Sequence, residues 1–161
     1  MKTVYVSGVF DMFHYGHIRL LKKCEEIAFD LKKTTGGNIR LLIGVHNDND
    51  CSNYKRQPIL TMKERSMSII EIFEMLGIRG IFVGILIDAP LVETQELYLE
   101  QDIIKVLHAH SEDEDNYYSR FYKTAITMGI FQRLEYTGGI STSEIIERVN
   151  TIVTKKNINN I

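Results

Sequence analysis

Five short apolar runs, each followed by a stretch with a different period, limit what this 161-residue chain can fold into. They are TVYVS (3–7), IRLLIGV (39–45), GIFVGIL (80–86), DIIKVLHA (102–109) and GIFQRLEY (129–136). They are continuous apolar runs rich in β-branched and aromatic residues, which suits strands covered on both faces. Between the first two, Ile18, Leu21, Cys24, Ile27 and Leu31 recur every three or four residues among lysines and glutamates, predicting an amphipathic helix over 15–33 that TTGGN (34–38) stops. Thr61 and Glu64 have capping-box spacing and open a helix to about 76. Pro90 precedes a short helix near 93–101, the acidic SEDED leads into one over 117–128, and Ser141 with Glu144 opens a last helix to about 153. Strand and helix thus alternate five times. The expectation is one α/β domain over 1–153, Rossmann-like and doubly wound, with a mostly parallel five-stranded sheet, helices on both faces, and a polar tail at 154–161.

Composition narrows the partners. A net charge of −2 does not supply the broad basic surface that nucleic-acid binding requires, so no nucleic-acid partner is expected. No apolar run approaches the length of a membrane span, so no integral membrane segment is expected either. Two cysteines, Cys24 and Cys51, fit no metal motif. Cys24 falls on the apolar helix face as a small core residue, and a reducing, cytoplasmic setting fits.

Open parallel sheets bind ligands outside the carboxyl ends of their strands, at the point where strand order reverses. The loops after the strands are therefore the candidate functional ones: 8–17, 46–58 with Lys55 and Arg56, 88–91, 108–115 and 136–143. All five histidines fall in these segments. In the first, VSGVFDMFHYGH, Gly8 lets the backbone approach a ligand. The helix that follows offers free N–H groups and a positive dipole end. His14 and His17 share one side of its first turn, with Gly16 keeping the space between them clear. Imidazoles so placed can donate to a polyphosphate and stabilise the charge on a leaving pyrophosphate. A zinc site is disfavoured, because helix-borne zinc pairs use i,i+4 spacing with a third ligand.

With these residues in view, GVFDMFHYGH resembles the first motif of the cytidylyltransferases, the branch of the nucleotidyltransferase superfamily with a His-x-Gly-His signature. NYKRQPILTMKER (53–65) is similar to the lysine loop and helix start of the phosphocholine and phosphoethanolamine enzymes. DAPLVETQELYLEQDIIKVLH and YKTAITMGIFQRLEYTGGISTSEII resemble the later segments, so that the likeness covers nearly the whole chain. Adenylyltransferases and class I aminoacyl-tRNA synthetases share the His-x-Gly-His motif; the lysine loop and GISTS make the likeness specific.

The resemblance implies transfer of CMP from CTP to a small phosphorylated alcohol with release of pyrophosphate, and with it a place in phospholipid biosynthesis. Phosphoethanolamine or phosphocholine is the leading acceptor, with glycerol 3-phosphate as a further one. It implies Mg²⁺ bound with CTP, no metal held by the protein itself, and a homodimer formed near the second and third post-strand segments. It assigns catalysis to His14, His17 and Lys55. It assigns nucleotide binding to Val6, Ser7, Gly8, Val9, Phe10, Asp11, Gly16, Arg65, His108, Gly139, Ile140, Ser141, Thr142 and Ser143. Acceptor binding falls to Leu91, His110, Asp113 and Tyr136. For some of these the residues also allow plainer roles: Asp11 as an Asx-turn residue, Arg65 as part of a charged first turn, Ser141 as a helix cap.

The chain departs from the family pattern at several places. Tyr136 stands where the closing motif begins with arginine, Gly138 where Glu or Gln is common, and Arg133 lies three residues earlier. A second family arginine falls at Phe73 counting forward, or at Leu76 counting back from the third strand. Leu91 replaces an aromatic, and HAHSEDED displaces the acids that usually follow the fourth strand. These changes motivate an alternative: a nucleotide-binding protein with weak or no turnover.

Overall fold

The computed structural model describes residues 1–54, 56–76 and 80–159, with residues 76 and 157–159 by their backbone only. Its centre is one five-stranded, all-parallel sheet built from β1 (Lys2–Gly8), β2 (Ile39–His46), β3 (Phe82–Ala89), β4 (Ile103–Ala109) and β5 (Phe131–Leu134). The strand order is β3-β2-β1-β4-β5. The chain winds outward from β1 through β2 to β3, then returns to the other side of β1 as β4. Strand order therefore reverses between β1 and β4, which opens a crevice there.

Burial on both faces accounts for the apolar runs. Val4 and Val6 of β1 and Leu41 and Ile43 of β2 face a core shared with helix α1 (Tyr15–Thr35), through Leu21, Cys24 and Ala28, and with helix α3 (Met62–Leu76), through Ile69 and Phe73. Tyr5 and Leu42, one residue out of step, face the opposite core with Tyr98, Val106, Phe121, Tyr122 and Ala125. That second side carries the short helices α4 (Gln95–Glu100), α5 (Asp115–Tyr118) and α6 (Lys123–Thr127). The Thr61–Glu64 box forms as expected: the Glu64 N–H bonds Thr61 Oγ1 at 3.3 Å, and the Glu64 carboxylate accepts from the Thr61 N–H at 2.8 Å.

Several boundaries differ from expectation, β3 among them, which spans Phe82–Ala89 where 80–86 is expected. The polar loop after β2 contains a helix, α2 (Asp48–Tyr54). Its sequence, DNDCSNY, is made of weak helix formers. What holds it is an Asn47 side chain accepting from the Asp50 N–H at 2.7 Å, and buried Cys51 beneath. The helix expected over 117–128 is instead a 3₁₀ turn at Glu112–Glu114 followed by α5 and α6, because burial of Phe121 and Tyr122 against the sheet overrides continuous helical periodicity. The last strand spans Phe131–Leu134, shorter than the 129–136 run. The last helix, α7 (Thr142–Asn159), continues through most of the segment expected as a tail.

Candidate active site

The first loop is held by its own histidines. His14 is the N-cap of α1: its Nδ1 accepts from the Gly16 N–H at 3.2 Å, while His17 Nδ1 accepts from the His14 N–H at 3.4 Å. This is a capping box made from imidazoles instead of hydroxyl and carboxylate. Its chemical consequence is tautomeric. With both Nδ1 atoms accepting, each neutral ring carries its proton on Nε2 and has that N–H to donate. The rings stack with centroids 3.9 Å apart. Burial, and for His17 the neighbouring His14, lowers both imidazoles, His17 to about 3, so both are neutral at pH 7. Gly16 sits in a tight space: a Cβ there would lie 3.0 Å from the His14 ring and 3.3 Å from Ile140.

Asp11 ties this loop to the next one. Its buried carboxylate accepts from the N–H groups of Met12 (3.1 Å), Ile59 (2.9 Å) and Leu60 (2.9 Å), and from Arg56 Nη1 at 3.1 Å. Burial alone would raise this carboxyl, but the Ile59 and Leu60 N–H groups and Arg56 outweigh it and hold the group below the usual carboxylate range. The Met12 contact is local, and the other three brace the first loop against the segment 56–60. The Asp11 carbonyl in turn accepts from Thr142 Oγ1 at 2.8 Å, joining the closing motif to the first. Ser141 caps α7 through its Oγ, which accepts from the Glu144 N–H at 3.1 Å. Gly139 takes a φ of +85°, the left-handed bend that brings the chain into that cap.

These loops enclose a cavity of about 290 Å³ outside the carboxyl ends of β1 and β4. It is lined by Ser7, Gly8, Val9, Phe10, Asp11, His14, Gly16, His17, Leu91, His108, Tyr136, Ile140, Ser141, Thr142 and Ser143 of the expected set. A groove of about 510 Å³ along α7 is lined by that helix alone and gathers no converging groups. On the far wall His108 Nδ1 lies 2.9 Å from the Tyr122 hydroxyl, its Nε2 is buried without a protein partner, and burial lowers the imidazole to about 3. Tyr54, Tyr117, Tyr118, Phe121 and Tyr122 complete an aromatic wall.

Several expected positions fall elsewhere, for physical reasons. Val6 is fully buried in the core, its side chain away from the cavity. Gly139 shapes the turn without lining the cavity. Arg65 is wholly buried. Its guanidinium donates to the carbonyls of Val9, Leu60 and His46 (2.8 Å) and to Asp48 (2.7 Å), so it fastens the first loop to the second and has no edge facing the cavity. His110 is buried behind the wall with Nε2 2.7 Å from Asp115, and Asp113 is exposed on the 3₁₀ turn. Arg133 donates to Glu112 at 2.7 Å and toward the His110 carbonyl at 3.4 Å, so it does not replace the arginine absent at Tyr136. Phe73 packs in the core, where α3 offers no route to the cavity, and the side chain of Leu76 lies outside the described residues. Lys55 also lies outside the described residues.

The cavity also holds groups that the motifs did not mark. His46, at the end of β2, donates through Nδ1 to the Ala89 carbonyl at 2.9 Å. Arg56 lines the cavity from the loop that carries Lys55; its position in that loop was the available signal. Beneath the cavity floor lies a buried carboxyl, Glu93, which accepts from Ser7 Oγ at 2.7 Å and from the Tyr98 hydroxyl at 2.5 Å. Burial pushes it up to about 7, against the lowering effect of those two hydrogen bonds. Nothing in the sequence distinguished Glu93 from the polar residues around it.

Comparison with known proteins agrees with this geometry. A family model described as cytidylyltransferase-like matches residues 5–148. Ethanolamine-phosphate cytidylyltransferase of Arabidopsis thaliana is 34% identical over 157 residues, covering 92% of this chain and 32% of that protein. Choline-phosphate cytidylyltransferase of Saccharomyces cerevisiae is 32% identical over 153 residues, covering 91% of this chain and 31% of that protein. The chain thus spans about a third of the length of these relatives. Among solved structures, the lipopolysaccharide core biosynthesis protein of Thermoplasma volcanium superposes with a TM-score of 0.57 at 21% identity, over 85% of this chain and 98% of that one, which shows a shared fold.

Proposed function

The chain belongs to the cytidylyltransferase-like family, and from that premise we propose that it transfers CMP from CTP to a small phosphorylated alcohol, releasing pyrophosphate. The observation that carries this reading is the imidazole capping box. It leaves two Nε2–H donors at the mouth of the sheet's switch point, beside a closing motif fastened to the same loop by Thr142 and Asp11. An oxygen of the acceptor's phosphate attacks the α-phosphorus of CTP, a P–O bond forms, and the bond to the β-phosphate oxygen breaks. No enzyme nucleophile is needed. The protein positions the two substrates and stabilises charge on the departing pyrophosphate, to which His14 and His17 donate without changing protonation. Lys55 takes the role of bridging the two phosphates.

Mg²⁺ is part of the proposal, as an ion carried by the triphosphate. Among the described residues no three His, Cys, Asp or Glu side chains form a metal cage. The cavity's polar lining includes the donors His14, His17 and Arg56, suited to phosphate oxygens, and Mg²⁺ commonly binds through substrate phosphates and water. When bound it would neutralise phosphate charge.

For the acceptor we propose phosphoethanolamine or phosphocholine, the substrates in the relatives' names. The aromatic wall supports an ammonium headgroup, since π faces attract cations. Tyr54, Tyr117 and Phe121 already hold the Arg120 guanidinium 5.2, 4.4 and 4.9 Å from their ring centres. We also propose a homodimer and a cytoplasmic location. The first is supported by exposed Phe82 and Ile87 on the edge strand β3 and Met67 on α3, the second by two buried free thiols. No described helix is long and apolar enough to cross a membrane.

The test is pyrophosphate release with CTP or ATP and a panel of phosphoethanolamine, phosphocholine and glycerol 3-phosphate. Release with CTP and one of these acceptors is expected. CTP binding with no release for any acceptor would leave a nucleotide-binding protein; a preference for ATP would overturn the nucleotide assignment.

A further inference from the structure

We propose that Arg56 is a phosphate-binding residue of this cavity, taking phosphate oxygens on the Nε/Nη2 edge of its guanidinium. The proposal rests on the transfer reading above and supplies a cation where the sequence lacks one at 73 or 76 and at 136. Other arginines near the site are committed elsewhere. Arg65 is sealed among carbonyls and Asp48; Arg133 holds Glu112; Arg120 covers aromatic rings and bonds Tyr54. Among the described residues, Arg56 is the guanidinium that lines the cavity.

Its arm is anchored before any ligand arrives. The Arg56 N–H donates to the Cys51 carbonyl at 3.2 Å, and three and four residues on, the Ile59 and Leu60 N–H groups donate to Asp11. Nη1 is engaged by Asp11 at 3.1 Å. Nε is buried and has no partner. A buried, charged N–H without an acceptor is unfavourable, so such a group in a cavity wall indicates an acceptor to come. With Nη1 occupied, the Nε–H and an Nη2–H point the same way from one planar edge. That is the fork that matches two oxygens of a phosphate. The histidines that share the cavity are held neutral by burial, so Arg56 is the fixed positive charge among its described lining residues.

The ligand chemistry is a phosphate group, and two sources carry it: the nucleotide and the acceptor. The experiment compares wild type with Arg56→Lys and Arg56→Gln, using inorganic pyrophosphate as the binding probe in calorimetry and steady-state KM for each substrate. Arg56→Lys keeps a cation for Asp11 but lacks the planar fork, so its melting temperature should match wild type. Pyrophosphate or acceptor-phosphate recognition should fall roughly tenfold in Arg56→Lys and by up to about a hundredfold in Arg56→Gln. A rise in KM for CTP with weaker pyrophosphate binding assigns Arg56 to the nucleotide. A rise in KM for the acceptor alone assigns it to the acceptor. Wild-type pyrophosphate affinity and both KM values retained in folded variants would overturn the proposal. If wild type binds pyrophosphate through Arg56 but transfers no CMP, the transfer reading fails and the phosphate site stands.

Discussion

His14 and His17 spend one nitrogen each on folding and keep one for chemistry. Nδ1 of each satisfies a main-chain N–H at the start of α1, which fixes the proton on Nε2. The same contact therefore builds the helix start and sets the tautomer that the proposed reaction requires. His14→Ala and His17→Ala should each lower kcat by roughly a hundredfold to a thousandfold, the range for losing a donor to developing charge. His14→Ala should also cost about 1 kcal/mol in denaturant unfolding, because it removes an N-cap, while the fold persists. Full activity in either variant would sink the triphosphate role. The histidine pair and Gly16 were readable in the sequence because their spacing is local; the direction in which each ring nitrogen is used was not.

Loops that the sequence marks only as polar become rigid through a few buried contacts. Asp11 gathers Met12, Ile59, Leu60 and Arg56, and Arg65 gathers three carbonyls and Asp48. Arg65 was legible as a cation at a helix start, but its sealed position depends on how α3 lies across the ends of β1 and β2. Glu93 does the same between β1 and α4, through Ser7 and Tyr98. Its raised pKa makes a signed prediction. Between about 4.5, its ordinary value, and about 7, the folded state keeps a proton that the unfolded chain releases. Glu93's contribution is thus fully present below that window and is lost as pH rises through it. The stability of wild type relative to Glu93→Gln should fall by about 1.4 kcal/mol per pH unit there and level off above pH 7. Urea unfolding at a series of pH values measures it; a difference independent of pH would refute the assignment.

Over the whole molecule, a five-stranded parallel sheet whose order reverses between β1 and β4 brings residues 7–11, 14, 16, 17, 108, 136, 137 and 140–143 to one mouth. One edge of that sheet is β3, where Phe82 and Ile87 are 59% and 60% exposed, with Met67 44% exposed on the neighbouring α3. An apolar sheet edge is a surface that a second copy can cover. Sedimentation should therefore give a dimer for wild type, and Phe82→Lys with Ile87→Lys should shift it to monomer. A wild-type monomer at all concentrations would remove the dimer from the proposal.

The sequence alone determined what is periodic or local: the strand and helix alternation, the continuous runs that require two covered faces, the capping box at Thr61, and the histidine pair. It also determined that no arginine stands at 73, 76 or 136. Tertiary structure decided the rest, because those features depend on segments far apart in the chain. Helix α2 exists through Asn47 and buried Cys51 despite poor propensity. Phe121 and Tyr122 break an expected helix to line a wall. Glu93 acquires its raised pKa only when Ser7, some 86 residues away, is laid beside it and water is excluded. How each arginine is used was likewise decided by burial and competing acceptors: Arg65 and Arg133 are used within the fold, and Arg56, bonded to Asp11 through Nη1, keeps a buried Nε without a protein partner.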